Sequence, residues 1–364
     1  MNLPASNNQE IEITTIGSGG GYGEAVVLKL DPDNWVVVDS CIDPKSGDSL
    51  VIRYLENQNI DFGTVRLIVL THYHDDHVNG ISNLFKRSPN ARLVVSSCQN
   101  RNLFINLINI NSAKLKKQNA NSATSELKEC FEILESRNQH PISATHNQIL
   151  FSDLEKEINI IALSPSPKTQ ESYDHEIGRL INDFGKPSKR LKMYSANFKS
   201  VVLYISVGIN RIILGADMEL DEKDDEIGWL HILNNSAVIA GRSSVFKIAH
   251  HGSENGYTNR IFDELLTDEP NCSITSWNLN DYLPQAKMIS TYLSHTSKLF
   301  QTSAIVGGKD IELDKISKKI LKRVNAKRKT VKFQYGLIRF RKNIEEESEW
   351  NTDLDGEAFM HHPS

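Results

Sequence analysis

Cysteine is scarce in this 364-residue chain: Cys41, Cys98, Cys130 and Cys272 stand far apart and form no Cys-x-x-Cys pair. Nothing therefore indicates a disulfide framework or a thiolate zinc site, and the four read as small apolar residues of the interior. Long hydrophobic runs are missing too. None approaches the ~20 residues of a membrane span, and the polar start from Met1 to Glu10 lacks the apolar core of a signal peptide. The expected setting is cytoplasmic, without membrane contact. A P-loop is also lacking: Gly17-Ser18-Gly19-Gly20-Gly21-Tyr22-Gly23 has neither the Lys-Ser/Thr ending nor a following helix, and reads as a loop between strands. There is no internal repeat, and a net charge of −5 selects no partner by itself. One domain with insertions is the economical reading.

What is present is a succession of short apolar runs with turn signals between them. Residues 11–16, 25–30 and 35–38 read as strands, the last closed by Asp39. Helical spacing at 50–58 precedes an apolar run at 65–71, a helix at 80–87 and a strand at 91–97, the order of an α/β layered fold. A helical insertion rich in Lys and Asn is expected over about 101–140, and a polar, basic lid over about 168–198. Strands resume at 149–150, 158–163, 201–207, 211–214 and 245–249, with weaker patterns at 272–276 and 303–306 and a late strand at 331–340. Residues 1–10 and the acidic stretch 341–364 are expected to be disordered tails.

The run at 65–71 ends in His72-Tyr73-His74-Asp75-Asp76-His77. A buried strand that stops there throws His72, His74, Asp76 and His77 onto the turn where the chain leaves the sheet. Imidazole and carboxylate suit Zn²⁺, Mn²⁺ or iron, and so dense a set can begin two adjacent sites; a turn alone needs no such set. Two further strands end in ligand-type residues, at Gly215-Ala216-Asp217 and at His250-His251-Gly252-Ser253. A carboxylate arriving from a separate strand can bridge two metals, because Asp offers two anionic oxygens and His none. Two ions ~3.5–4 Å apart would share an activated hydroxide and clamp a phosphoryl or acyl centre.

In this order and at these spacings, the three motifs resemble the metallo-β-lactamase fold metallohydrolase superfamily, over roughly residues 11–340. The resemblance implies a four-layer αββα sandwich, two mixed β-sheets flanked by helices, forming one catalytic domain. Asp39 matches the family's structural Asp. By position, the resemblance implies His72 and His74 on one metal, Asp76 and His77 on the other, and Asp217 between them. One histidine of the last pair completes the second site. His251 is assigned there and His250 to the substrate or a leaving oxygen, although the two are exchangeable. Asp76 and His250 are then the catalytic candidates, and His250 and Ser253 the substrate-binding ones; Glu219 is either a support behind the ligands or a solvated helix start. The His-His-Gly-Ser ending is similar to the soluble domain of the DNA-uptake protein ComEC and to choline-phosphate esterases of the same fold. Ser164-Pro165, Pro284 and Gly336 fit that branch.

The chain departs from the family at one ligand. Most members carry a further His after the strand that here ends Leu163-Ser164-Pro165, and the nearest candidates are His146 and His175. Without it the first site is weak, water-completed, or better suited to Mn²⁺ than to Zn²⁺, which argues against a lactamase or a glyoxalase-type thioesterase. The expected activity is phosphodiester hydrolysis with two divalent ions, Zn²⁺ or Mn²⁺. A basic helix with apolar Ile316, Ile320 and Val324 would expose Lys318, Lys319, Lys322 and Arg323, either as a nucleic-acid contact or as a solvated face. Two alternatives stand beside this. One is a small phosphodiester or other ester admitted past Trp229, Trp277 and Tyr257. The other is a non-catalytic metal-binding effector acting with other protein subunits.

Overall fold

Valine, isoleucine and leucine crowd the short runs that become strands, and the interior absorbs them on both faces. The computed structural model describes residues 1, 3–18, 23–96, 123–183, 197–278, 282–305, 335–344 and 348–362. Among these, the strands in chain order are β1 (Glu10–Gly17), β2 (Glu24–Asp31), β3 (Asn34–Val38), β4 (Val65–Leu70), β5 (Arg92–Ser96), β6 (Ile142–Ala144), β7 (Gln148–Asp153) and β8 (Ile158–Ala162). They continue with β9 (Leu203–Val207), β10 (Asn210–Leu214), β11 (Ser243–Lys247), β12 (Leu266–Ile274), β13 (Leu299–Gln301), β14 (Gly336–Asn343), β15 (Asn351–Gly356) and β16 (Phe359–Met360). Two eight-stranded sheets result, ordered β15-β14-β1-β2-β3-β4-β5-β6 and β16-β13-β12-β11-β10-β9-β8-β7. Both are mixed. From β3 to β6 and from β10 to β13 the pairing is parallel, and elsewhere it is antiparallel.

The period of two along β4 explains the layering. Leu67 and Val69 face the core between the sheets, together with Ile212, Leu214 and Val245. Ile68 and Leu70 face the other way, onto α1 (Leu50–Asn57), α3 (Ile81–Arg87) and α4 (Ala123–Ser136). On the far side of the second sheet, Ile213 and Phe246 meet α6 (Gly228–Asn235) and α7 (Ala286–Leu293) through Trp229, Ile232, Met288 and Tyr292. The remaining α-helices among the described residues are the four-residue α2 (Asp75–Val78) and α5 (Pro167–Asp183). The order helix, sheet, sheet, helix is the expected four-layer sandwich.

Several expectations need correction. In the acidic stretch 341–364 the described residues are not a free tail: β15 pairs antiparallel with β14, β16 pairs with β13, and Trp350 Nε1 donates to Ser244 Oγ at 2.9 Å. Its acidity is used, since Asp353 accepts from Arg339 and Arg341, each at 2.8 Å. Residues 3–10 are likewise tied down, with Pro4 O taking Arg339 Nη1 at 2.9 Å and Lys29 Nζ donating to Ser6 Oγ at 2.9 Å. The strand placed at 303–306 lies instead at Leu299–Gln301, because Leu299 and Phe300 fill opposite core layers while Ala304 is exposed. Of the expected insertion, 101–122 lies outside the described residues; α4 packs by Leu127, Cys130 and Leu134. Of the expected lid, 184–196 lies outside them. The remainder is α5, whose Tyr173 is buried under the Lys199 ammonium, 4.2 Å from its ring centre.

Candidate metal centre

Parallel strands deliver groups at their carboxyl ends, and here three of them do so at one place. β4 ends at Leu70, and the loop before α2 carries His72 and His74; Asp76 and His77 lie on α2. Asp217 follows β10, and His251 follows β11. The first sheet thus supplies four candidate ligands and the second sheet two.

Asp39, at the end of β3, organises the first-sheet half. Its carboxylate accepts from Thr71 N at 2.8 Å and from Thr71 Oγ1 at 2.7 Å, and the same Oδ2 takes His77 Nδ1 at 2.7 Å. Thr71 Oγ1, its proton given to Asp39, is left to accept from His72 Nδ1 at 3.0 Å. His251 Nδ1 lies 3.2 Å from Thr275 Oγ1 and 3.3 Å from Thr275 O. In all three rings the outer nitrogen is engaged, which turns the Nε2 lone pair inward.

The inward atoms form two groups. Asp76, His77, Asp217 and His251 offer ligand atoms all within 4.8 Å of one another, and so do His72, His74 and Asp217. Asp217 Oδ2 is common to them, at 3.6 Å from His72 Nε2, 3.5 Å from His77 Nε2 and 3.8 Å from His251 Nε2. Asp76 Oδ2 stands 3.4 Å from His77 Nε2 and 3.7 Å from His251 Nε2. His72 Nε2 and His74 Nδ1 are 3.1 Å apart.

These residues fit a metal. His77 Nε2, His251 Nε2 and Asp217 Oδ1 are buried polar atoms with no hydrogen-bond partner, a costly arrangement unless something coordinates them. The charge pattern agrees. Burial opposes ionisation of Asp217, yet His251 and His77 hold its carboxyl well below the usual range. Burial likewise disfavours a charged His77, yet Asp76, Asp217 and Asp39 raise it well above the ordinary imidazole value, so the carboxylates call for positive charge. Strain points to the same place: Ala216, His250 and His251 sit at φ 46°, 47° and 52°, a left-handed backbone costing on the order of 1–3 kcal/mol each.

His250 stands apart from both groups. Its Nδ1 lies 3.0 Å from Ser253 Oγ, 3.1 Å from Asn255 Oδ1 and 3.3 Å from Glu219 Oε1, and its Nε2 faces Asn197 Nδ2 at 3.2 Å. Glu219 therefore lies behind His250 and not behind the ligands. His250, Ser253, Asn197 and Asn255 line an open cleft of about 670 Å³ with His74, Asp76, Asp217, His251, Trp277 and Leu283. Trp229 does not reach it; it is core, its Nε1 donating to Met218 O at 3.1 Å. Tyr257 packs on Phe262 and Tyr292 instead. Lys318, Lys319, Lys322 and Arg323 lie outside the described residues.

Neither substitute histidine joins the cluster. His175 is exposed on α5, and Ser164, after β8, spends its hydroxyl on Ser200 O at 2.6 Å. His146 packs against His231 with ring centres 4.4 Å apart. Burial, with His231 beside it, pushes the His146 imidazole down to about 4 from the ordinary 6.5. The unfolded chain then takes up a proton that the folded one refuses, so this contribution to stability is intact above pH 6.5 and drains as pH falls toward 4. His146→Gln is expected to flatten that part of the acid limb, read as urea midpoints at pH 7 and pH 5 against the parent.

Sequence reasoning passed over Asn197, Asn255 and the group behind His251: Glu24, Lys247 and Thr275. The signal for two of these was available, a charged residue inside an apolar strand.

Two sheets packed face to face, helices outside, and His/Asp ligands gathered at the strand ends define a metallo-β-lactamase fold. Residues 18–97 match the family model described as the metallo-beta-lactamase superfamily. Hydroxyacylglutathione hydrolase of Prochlorococcus marinus (strain MIT 9312) is 36% identical over 72 residues, which is 20% of this chain; the match spans about a quarter (26%) of that curated relative's length. Among solved structures, the metallo-beta-lactamase fold protein YhfI of Bacillus subtilis is similar at a TM-score of 0.40 and 12% identity, over 82% of this chain and 98% of that one. Zn(2+)-bound PqqB of Methylobacterium extorquens is similar at 0.34 and 11%, over 65% and 71%. Both scores are low, and the fold assignment rests on the strand order, the ligand motif and the family match.

Proposed function

We propose that this chain is a metal-dependent hydrolase whose substrate is a phosphodiester. The observation that carries the reading is the convergence of two ligand groups on one buried carboxylate, Asp217, at the floor of an open cleft. Two divalent ions there, Zn²⁺ or Mn²⁺, would acidify water near neutral pH and clamp the oxygens of the centre under attack. His72 and His74 would hold one, and Asp76, His77 and His251 the other, with Asp217 shared.

The work of the chain itself is positional. Asp39 and Thr71 hold His72 and His77 with Nε2 inward, so little reorganisation remains when a substrate arrives. His250 is held at both ring nitrogens, Nδ1 by Ser253 and Asn255 and Nε2 by the Asn197 amide, so a substrate or leaving oxygen would take the place of Asn197 at Nε2. The described lining residues include no Lys or Arg, so recognition of a phosphate's charge falls to the metal centre. Trp277 and Leu283 supply an apolar wall on which a planar group can rest.

The phosphodiester reading is supported by the group of His72, His74 and Asp217, which holds no third histidine among the described residues, and by the ComEC-like ending His250-His251-Gly252-Ser253. DNA is one such substrate. A second reading, thioester hydrolysis, is favoured by the 72-residue match to hydroxyacylglutathione hydrolase. One assay separates them: bis-p-nitrophenyl phosphate, linear DNA and a hydroxyacylglutathione thioester, each with Mn²⁺, Zn²⁺ or EDTA. The expected result is metal-dependent cleavage of the phosphodiesters, abolished by EDTA. Turnover of the thioester alone would replace this reading with the second, and no turnover by the metal-loaded chain would sink both. If DNA is cleaved, Trp277→Ala is expected to raise its KM about tenfold with kcat little changed, from base stacking of roughly 1–3 kcal/mol.

A further inference from the structure

We propose that the buried Glu24–Lys247 ion pair is a positioning device that fixes the metal ligands of one sheet against those of the other. The inference rests on the metal-centre reading above.

Glu24 opens β2 in the first sheet, and Lys247 ends β11 in the second; they are 3% and 1% exposed. The Lys247 ammonium donates to Glu24 Oε1, so the pair spans the gap between the sheets at the rim where the ligand loops meet. Three arms leave it. Thr275 Oγ1 donates to Glu24 Oε2, which leaves that hydroxyl oxygen to accept from His251 Nδ1 at 3.2 Å, and Glu24 Oε2 itself lies 3.5 Å from the same nitrogen. Lys247 Nζ reaches Ala216 O at 3.5 Å, on the residue before Asp217. On the other side Gly23 presses against α2: a Cβ at that position would come within 2.0 Å of Asp76 O. One pair thus touches the support of His251 and the loop of Asp217, while its strand abuts the helix of Asp76 and His77.

Stability alone does not account for it. A buried ion pair is often matched or bettered by apolar residues of similar volume, whereas a left-handed backbone at Ala216 and His251 persists only where its surroundings over-determine it. Supports behind ligands are known to set metal affinity by about 10–100-fold.

The test uses the full chain as wild type, Glu24→Gln, Lys247→Met and the double variant. Zn²⁺ affinity is measured by competition with a chelator, the Co²⁺-substituted absorption spectrum is recorded, and unfolding of the metal-free protein is followed. Each single variant is expected to weaken one of two ions by about 10–100-fold and to change the Co²⁺ spectrum, with the other ion retained and the metal-free unfolding midpoint lowered, because a buried partner is left unpaired. The double variant is expected to stay as weak as the singles. A double variant restored to wild-type affinity and spectrum overturns the proposal, because the pair then serves only to neutralise itself. Singles that match a metal-binding wild type overturn it as well. A wild type that binds no ion overturns the metal-centre reading, and this inference with it. Should Lys247→Met fail to fold, Glu24→Gln decides, since it keeps an acceptor for Thr275.

Discussion

Replacing Asp217 with alanine is expected to cut metal-dependent hydrolysis by about 10³-fold or more. Among the described residues Asp217 is common to both ligand groups, so its loss strips a ligand from each site at once. A metal clamp contributes several kcal/mol to the transition state, and about 4 kcal/mol, at 1.36 kcal/mol per tenfold, is a factor of about 10³. Asp217→Asn separates charge from shape: it keeps the volume but offers one neutral oxygen in place of two anionic ones. That variant should retain the fold and hold at most one ion tightly. The measurements are kcat/KM on bis-p-nitrophenyl phosphate and metal content after dialysis, with thermal unfolding as the control. Wild-type turnover by Asp217→Ala would remove the carboxylate from any shared role.

The candidate ligands were legible in the sequence because each stands where an apolar run stops, and a run that stops in His or Asp has little other use for them. Distances alone separate His250 from His251: adjacent in sequence, they diverge because both adopt left-handed backbone, so one ring turns to the cluster and the other to Ser253 and Asn255. Layers were legible for the same reason as strands, the period of two. Helices α6 and α7 escaped, although α1, of the same eight residues, was read from its spacing. Where most of the family carries a further histidine, Ser164 braces the backbone instead, its hydroxyl bonded to Ser200 O and Val202 N. Composition misled at the two ends. Acidic and polar stretches read as solvated tails until their partners are known, and here the partners lie on a strand hundreds of residues away from one of them.

That strand supplies the second large effect. Arg339→Leu is expected to destabilise the protein by about 3 kcal/mol and to loosen both chain ends together. Arg339 is fully buried on β14, with Nη2 on Asp353 Oδ2 at 2.8 Å, Nη1 on Pro4 O at 2.9 Å, and Glu12 Oε2 at 3.4 Å. Its planar fork is what allows one side chain to address the N-terminal segment, β1 and β15 at once, and no lysine has that reach in three directions. Removing one partner of a buried pair costs about 3–5 kcal/mol. The lower end applies because Asp353 retains Arg341 at 2.8 Å, and Glu12 keeps Lys29 at 3.8 Å. Denaturant midpoints give the magnitude, and hydrogen exchange gives the place: residues 3–9 and 351–356 should lose protection while β4 and β10 keep theirs. Uniform loss across both sheets would mean that Arg339 supports the sandwich as a whole. Selective loss would leave the metal cluster intact, since the carboxyl ends of β4, β10 and β11 are braced by Asp39, Thr71 and Thr275, none of which touches Arg339.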